Sequence, residues 1–374
     1  MKIDKVTCHV LSASVEEPIH FGIGAFPTFS AIVVEIEIDD GTTGIGECIS
    51  RRTPQVVKTI VEDLLTPVIR GKDPLDIEGL WEAMFDQLRR WGHSRGFMVE
   101  AISGVDIALW DIFSKTLGVP LYKALTGHGR DRVRCYASSV YFNDLDWMQK
   151  EAQQQIDAGH TAIKVKIGRS RELGGPRMDV ASVKAIREAV GPDVELMLDV
   201  NGAYHAATAV RVGRELEQYD ISWIEEPVPP DDVAGYAHIR RMLKIPIAGG
   251  ETEFTVYGFR DLIEQRGIDI LQPDIARAGG VTGCRRIATL ANAYHLQVAP
   301  HTGFSGGVSQ LAALQFAAAT PNFLTYEYMY IHNPLREIFT EPFPKAEDGY
   351  IEVPQRPGLG LELDGDALDR YALR

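Results

Sequence analysis

The chain has 374 residues, of which 45% are hydrophobic and 24% charged, enough to bury one large core and a smaller one. Its formal net charge of -14 disfavours non-specific binding to nucleic-acid phosphates or to an anionic membrane. A small molecule is therefore the expected partner. The four cysteines lack the spacing of a zinc site and the density of a disulfide scaffold, and we expect them to be reduced.

The N-terminal sequence lacks the apolar run of a signal peptide. No stretch of about 18 or more apolar residues occurs elsewhere in the sequence. We therefore predict a cytoplasmic protein.

The first 125 residues predict an α+β domain. Residues 2–11 and 30–39 alternate apolar and polar positions, as half-buried strands do, and the second run ends at the turn Asp40-Gly41. Helical periodicity follows in three stretches, 55–69, 76–90 and 96–116. The glycine-rich part of the segment at about 16–30 is apolar, as a lid would be, and we expect a lid loop there.

Residues 126–345 show a different pattern, in which short apolar runs alternate with amphipathic stretches. Such runs are typical of strands that are buried on both faces of a parallel sheet. We predict eight strands, at 134–142, 162–168, 194–201, 222–227, 245–251, 269–274, 296–301 and 322–327. Units that recur at about 25 residues with right-handed crossovers close into a barrel. The sequence thus predicts an α/β fold, a (β/α)7β TIM-like barrel with an α+β N-terminal capping domain, and a segment at 346–374 that returns to the capping domain.

A polar residue ends each of the last seven predicted strands, and successive ones lie 23 to 33 residues apart. The seven residues are Lys166, Asp199, Glu225, Glu251, Asp274, His301 and Glu327. Active sites of such barrels lie at the carboxyl ends of the strands. Charged side chains are almost never buried unless they are paired or bind a metal. One such residue could be a solvated loop residue, but seven of them at regular spacing predict an active site.

The three acids Asp199, Glu225 and Glu251 would stand on adjacent strands, where their carboxylates repel one another unless a divalent cation lies between them. Ligands that are all oxygen favour one Mg²⁺ per site, with Mn²⁺ as the alternative, over zinc. Strand alternation returns Asn201 to the face of Asp199, where it would contact a ligand or the substrate. Glu226 should face the other way and is left out of the ligand set.

Two groups are candidates for acid/base chemistry. Lys164 and Lys166 share one face of the second strand, where desolvation and mutual repulsion lower a lysine pKa toward that of a general base. Asp274 and His301 end adjacent strands, so that the carboxylate can fix the tautomer of the imidazole and raise its basicity. Counted around the ring, Lys166 and His301 face each other across the lumen, and a substrate between them could exchange a proton on either face. Glu327 could hydrogen-bond a substrate oxygen.

These residues fall in seven motifs, KVK (164–166), LDVN (198–201), WIEEP (223–227), AGGE (248–251), QPD (272–274), APH (299–301) and YE (326–327). Together with SGVDIALWDI (103–112), they resemble the mandelate racemase subgroup of the enolase superfamily. The resemblance implies Mg²⁺ on the three acids, opposed acid/base groups at Lys166 and the His301/Asp274 pair, and a substrate carboxylate bound by Lys164 and Glu327. Within the subgroup, the C-terminal segments resemble those of sugar-acid cycloisomerases and dehydratases.

The expected chemistry is removal of the proton alpha to a carboxylate, which gives an enediolate, followed by β-elimination on a sugar acid or its lactone. A racemase or epimerase of a 2-hydroxy acid would use the same paired groups and remains an alternative. A metal-dependent TIM-barrel hydrolase is an alternative of another class, although the histidine ligands that it favours are absent from the motifs. We expect His20, Phe21 and Arg51 of the capping domain to contact the substrate. The resemblance also suggests a homo-oligomer, from dimer to octamer.

Overall fold

A computed structural model describes residues 1–22, 24–49 and 51–373 of the chain, without the side chains of Glu16 and Glu17. Within these residues, no helix is both long and apolar enough to span a bilayer.

The N-terminal part begins with an antiparallel sheet in the order β1-β2-β3. Its strands are β1 (Ile3–Phe21), β2 (Gly24–Ile38) and β3 (Thr43–Ile49). Five helices follow, α1 (Pro54–Thr59), α2 (Thr66–Ile69), α3 (Ile77–Arg89), α4 (Phe97–Leu117) and α5 (Leu121–Thr126), and a π-helical turn, Ile60–Leu65, joins α1 to α2. The long helices begin and end within one residue of the predicted stretches.

The expected lid loop is instead the end of a β-hairpin. β1 and β2 remain paired as far as Phe21 and Gly24, with a register shift between Ser14 and Ile19. The alternating apolar side chains of Ile19 and Phe21 favour a strand here. Both side chains are buried, and they hold this end of the hairpin against the protein. Residue 23, within the predicted loop, lies outside the described residues.

The rest of the chain forms the predicted closed barrel. Its eight strands are β4 (Arg132–Val140), β5 (Ala162–Lys166), β6 (Glu195–Asp199), β7 (Ile221–Glu225), β8 (Ile247–Gly249), β9 (Ile270–Leu271), β10 (Gln297–Val298) and β11 (Tyr326–Met329). Strands β4 to β10 pair in parallel in chain order, and β11 pairs with β4. A bridge between Val298 and Phe323 links β10 to the segment before β11 and closes the ring.

Seven helices connect these strands on the outside of the barrel. They are α6 (Leu145–Asp157), α7 (Gly175–Val190), α8 (Ala206–Leu216), α9 (Val233–Met242), α10 (Thr255–Glu264), α11 (Gly280–Ala293) and α12 (Gly307–Ala319). Inside the ring lies an apolar layer of Tyr136, Ala162, Met197, Trp223, Ala248, Ile270 and Ala299. This layer fills the barrel, as expected for an eight-stranded ring.

The C-terminal segment contacts both parts of the chain. A hairpin of β12 (Ala346–Glu347) and β13 (Tyr350–Glu352) pairs antiparallel with the start of β4. Helix α13 (Gly365–Tyr371) follows, and the Leu373 N–H then donates to the Val10 carbonyl of β1 at 2.8 Å.

The helix α4 holds the N-terminal sheet against the barrel. It is buried on nearly all sides because it packs on β3 and also on α11. The backbones of α4 and β3 approach closely at Gly104 and Gly46, where a side chain on Gly46 would overlap the Gly104 carbonyl oxygen. This contact brings polar side chains of the sheet and of α4 within reach of the barrel loops.

Candidate active site

The polar residues that end the predicted strands lie together at the carboxyl end of the barrel, and all of them are buried. Side chains alternate along a strand, so a residue of the apolar layer is followed two positions later by an inward polar one. Met197 is followed in this way by Asp199, Trp223 by Glu225, Ala162 by Lys164, and Ala299 by His301. A polar layer therefore covers the apolar one where such barrels carry their active sites.

The three acids predicted as metal ligands form a compact group. Asp199, Glu225 and Glu251 each offer a carboxylate oxygen within 4.8 Å of the other two. Burial and the neighbouring Asp199 raise the pKa of Glu225 well above its ordinary value. The Glu251 Oε2 atom is buried and accepts no hydrogen bond. Mutual repulsion and a buried oxygen that accepts no hydrogen bond make this group suitable for a divalent cation, which is the predicted arrangement.

Glu226 lies outside this group, as predicted. Its carboxylate accepts a hydrogen bond from the Thr252 hydroxyl at 2.7 Å. The residue has φ +40°, which places it in a turn directly after β7.

Two further side chains orient the Glu225 carboxylate, and neither was predicted from the sequence. The amide of Gln272 donates to Glu225 Oε2 at 2.6 Å, and the Trp223 indole donates to the same oxygen at 3.3 Å. Gln272 belongs to the motif that contains Asp274, but its role depends on which strands are adjacent. A carboxylate held in this way is preorganised for a cation.

Lys164 lies at the centre of the acidic layer. Its ammonium group is 2.8 Å from Glu225 Oε1, 2.7 Å from Glu327 Oε1 and 3.7 Å from Asp199 Oδ2. Burial opposes the charge, but these carboxylates outweigh it and raise the pKa of Lys164 well above its ordinary value. The prediction of a lowered pKa is therefore wrong for Lys164, since attraction to several acids exceeds desolvation and repulsion from one lysine.

Lys166 occupies one side of the layer. Its ammonium group donates to Asp199 Oδ2 and, at 3.1 Å, to Asn201 Oδ1. The Asn201 backbone N–H donates to Asp199 Oδ1 at 3.0 Å, and φ +49° at Asn201 turns its side chain back toward the site. Asn201 therefore bridges Asp199 and Lys166 on the face of Asp199, as predicted.

His301 lies beside Glu251 and forms the predicted pair with Asp274. His301 Nδ1 is 2.7 Å from Asp274 Oδ2, and its Nε2 is 3.4 Å from Glu251 Oε2. Burial would lower the pKa of His301, but Glu251, Glu327 and Asp274 outweigh it and raise the value to about 9. Gly303 leaves Nε2 accessible, because a Cβ at that position would lie 2.6 Å from this nitrogen.

Glu327 is fixed by three donors. Its Oε1 accepts from Lys164 and, at 2.7 Å, from the Ser138 hydroxyl, while Oε2 accepts from the Thr302 N–H at 2.8 Å. Burial opposes ionisation, but Lys164 and His301 hold the pKa of Glu327 well below its usual range. Ser138 comes from β4, the one barrel strand for which we predicted no polar site residue.

One narrow cavity lies among these groups. It is lined by Phe21, Arg51, Ser138, Tyr141, Lys166, Asn201, Glu251, His301, Gly303, Phe304, Glu327 and Met329. Phe304, which the sequence did not single out, stacks on Phe26 of the hairpin with ring centroids 4.3 Å apart. A larger cavity lies beside it and shares Phe21 and Arg51. The cavity thus has a polar floor and an aromatic wall.

Of the three capping-domain residues expected to contact substrate, the structure brings two to this cavity. Phe21 and Arg51 line it, and Arg51 Nη2 is 3.9 Å from Glu251 Oε1. The Arg51 Nε and Nη2 atoms are buried and make no hydrogen bond. His20 does not line this cavity, and its contact with substrate stays a prediction: its side chain is exposed, because alternation along β1 turns it away from the face that carries Phe21.

Replacing Lys164 by Met should lower the free energy of unfolding by about 3 to 5 kcal/mol, because the substitution leaves buried carboxylates without their central cation. Denaturant unfolding without added metal measures the change. The matched control is Lys184→Met, which removes an exposed pair with Glu188 and should cost less than about 0.5 kcal/mol. Equal stability of the Lys164 variant and the wild-type protein would contradict the central role of Lys164.

Family models and related proteins agree with this geometry. Residues 3–126 match the mandelate racemase/muconate lactonizing enzyme N-terminal domain, and residues 147–367 match the enolase C-terminal domain-like family. D-galactarolactone cycloisomerase of Agrobacterium fabrum is 36% identical over 100% of this chain and 99% of its own length. Arabinonate dehydratase of Saccharolobus solfataricus is 35% identical over 91% of this chain and 90% of its own.

Among solved structures, a racemase from Streptomyces coelicolor with bound magnesium superimposes with a TM-score of 0.91. It is 31% identical, and the match covers 99% of this chain and 100% of that chain. The barrel, the buried carboxylate trio and these similarities lead to one conclusion. The chain is an enzyme of the mandelate racemase/muconate lactonizing enzyme family, in the enolase superfamily.

Proposed function

We propose that the enzyme is a Mg²⁺-dependent sugar-acid dehydratase or cycloisomerase. It would remove the proton alpha to a carboxylate and then expel an oxygen from the β carbon. The observation that carries this proposal is one cavity lined by Lys166, by His301 of the His301/Asp274 pair and by Glu251, which belongs to a buried trio of carboxylates. The cycloisomerase and the dehydratase among its relatives support the substrate class.

Asp199, Glu225 and Glu251 would hold the cation. Mg²⁺ prefers carboxylate oxygens, and the unpaired Glu251 Oε2 atom is a ready ligand. When bound, the ion supplies positive charge for the enediolate that forms as the alpha proton leaves. Lys164 supplies a second positive charge from within the protein, and its contacts with Glu225 and Glu327 prevent it from turning away.

Lys166 and His301 would move the protons. One of them takes the alpha proton, the electron pair of that C–H bond enters the enediolate, and the β C–O bond breaks as the enediolate collapses. The opposite group gives a proton to the leaving oxygen. If that oxygen is a hydroxyl, water leaves and the enzyme is a dehydratase; if it belongs to a lactone ring, the ring opens and the outcome is cycloisomerisation.

Glu327 and Arg51 would orient the substrate. Glu327, which Lys164, Ser138 and the Thr302 N–H hold in place, would accept a hydrogen bond from a substrate hydroxyl. Arg51 has two buried nitrogens without a hydrogen-bond partner and lies where the two cavities meet. It would bind a hydroxyl or a carboxylate at the distal end of the substrate.

Racemisation or epimerisation of a 2-hydroxy acid is the second candidate. The arrangement that favours it is the same pair of acid/base groups, because a racemase must both remove and return a proton at one carbon. A hydrolase receives less support: in the part of the chain that the structure describes, the one group of potential metal ligands is all carboxylate. The domain limits at residues 125 and 345, the cytoplasmic location and a homo-oligomer from dimer to octamer remain predictions.

Incubation with Mg²⁺ in D₂O should exchange the alpha proton of the accepted substrate before or during elimination. The substrates to test are D-galactarolactone, D-galactonate, D-xylonate and arabinonate, with mass gain and product followed together. EDTA should abolish both signals. Hydrolysis of the lactone without gain of deuterium would contradict the enediolate mechanism, and exchange with inversion but no elimination would favour the epimerase.

The variant His301→Asn should lose alpha exchange on one face of the substrate by at least about 100-fold, because a general base contributes roughly 10² to 10⁴-fold. Exchange through Lys166 on the other face should persist. The two faces are followed by NMR with substrates epimeric at the alpha carbon. The variant His205→Asn serves as a control, since His205 lies at the start of α8 and outside the cavity. Unchanged exchange at both faces in the His301 variant would refute the assignment.

A further inference from the structure

Helices α11 and α12 follow the strand ends that carry Asp274 and His301. Each begins after a glycine, Gly279 for α11 and Gly306 for α12, and these residues supply no side chain to cap the first turn. The first N–H groups of a helix need acceptors, and a buried helix start without them is destabilised. The acceptors therefore come from another part of the protein.

Glu47 of β3 supplies them for α12. Its Oε1 accepts from the Gly306 N–H at 2.6 Å and its Oε2 from the Ser309 N–H at 2.9 Å. The side chain is fully buried, and a Cβ at position 306 would lie 2.7 Å from Oε2. A carboxylate of the N-terminal sheet thus replaces the missing cap of a barrel helix.

Asp106 of α4 does the same for α11. Its Oδ2 accepts from the Thr282 N–H at 2.9 Å and its Oδ1 from the Thr282 hydroxyl at 2.6 Å. Ser103, one turn earlier in α4, accepts from the Gly279 N–H at 2.9 Å. Glu47 lies in the segment TTGIGEC (42–48), and Asp106 lies in SGVDIALWDI (103–112). The proposed reaction assigns no role to either segment.

The loops between these caps and the acid/base pair are short. After Asp274 the chain is fixed at Ala276, whose N–H donates to Asp274 Oδ1 at 2.9 Å and whose carbonyl accepts from the Ile49 N–H at 3.2 Å. After His301 the loop carries Thr302, which donates to Glu327, and Gly303, which lies over His301 Nε2. A shift of either helix start would therefore move the atoms around His301.

We propose that Glu47 and Asp106 are positioning residues for the His301/Asp274 pair. The N-terminal domain then has a role beyond closing the cavity, since two of its carboxylates fix the loops that orient the His301 imidazole. The assignment rests on the proposed function of His301 as an acid/base group.

The test compares Glu47→Gln and Asp106→Asn in the full-length, Mg²⁺-loaded enzyme. Asp111→Asn is the matched control, because Asp111 is equally buried and accepts from the Ile45 and Leu359 N–H groups but touches neither helix start. The readout is the ¹⁵N signal of His301 Nδ1 at one fixed pH, assigned by its loss in His301→Asn. Thr282→Val, which removes the hydroxyl that donates to Asp106 and accepts from the Trp110 indole, is a second variant should the others fold poorly.

We expect the His301 signal to move in the Glu47, Asp106 and Thr282 variants and to stay in place in the control. Alpha exchange that depends on His301 should fall about 10- to 100-fold in the Glu47 and Asp106 variants, as a misplacement of about 1 Å would cause, while exchange through Lys166 is retained. An unmoved His301 signal, or an equal shift in the Asp111 control, would overturn the proposal. Absence of alpha exchange in the wild-type enzyme would instead refute the proposed function, and the NMR comparison would still decide the positioning role.

Discussion

Burial of an unbalanced set of charges is the constraint on which the rest of this structure depends. The polar layer contains the five carboxylates of Asp199, Glu225, Glu251, Asp274 and Glu327 and the three cationic groups of Lys164, Lys166 and His301, all removed from water. When all are ionised, two negative charges remain in excess, which is the charge of one divalent cation. Since unpaired buried charge costs several kcal/mol for each ion, this layer fits a divalent cation.

The fold creates this layer through two separate arrangements. Inside the barrel, strand alternation places the charges directly above a layer of apolar side chains, so that water is excluded from below. Outside it, the N-terminal domain packs against the side that carries His301 and Asp274, where Glu47 and Asp106 accept hydrogen bonds from the starts of α12 and α11. The hairpin places Phe21 in the cavity wall and stacks Phe26 on Phe304 of that wall.

Much of this arrangement could be predicted because it repeats along the chain. The eight apolar runs predict the barrel, and the polar residues that end the last seven runs predict its carboxyl end. Strand alternation then directs these polar side chains toward the inside of the barrel. Contacts that depend on distant partners could not be predicted in this way. Ser138, Gln272 and Phe304 acquire their places only when the ring closes, and the raised pKa of Lys164 depends on carboxylates of three other strands. The hairpin was not predicted, because glycine content indicated a loop where strand pairing continues.

Mg²⁺ titration by calorimetry tests the central claim, that the excess charge of this layer forms a metal site, most directly. The decisive pair of variants is Glu251→Gln, which alters the carboxylate with an unpaired buried oxygen, and Glu226→Gln, which alters its buried neighbour outside the trio. We expect one Mg²⁺ to bind per chain in the wild-type enzyme and in the Glu226 variant, and no Mg²⁺ to bind in the Glu251 variant. A wild-type enzyme that does not bind Mg²⁺, or a Glu251 variant that binds it equally well, would contradict the account.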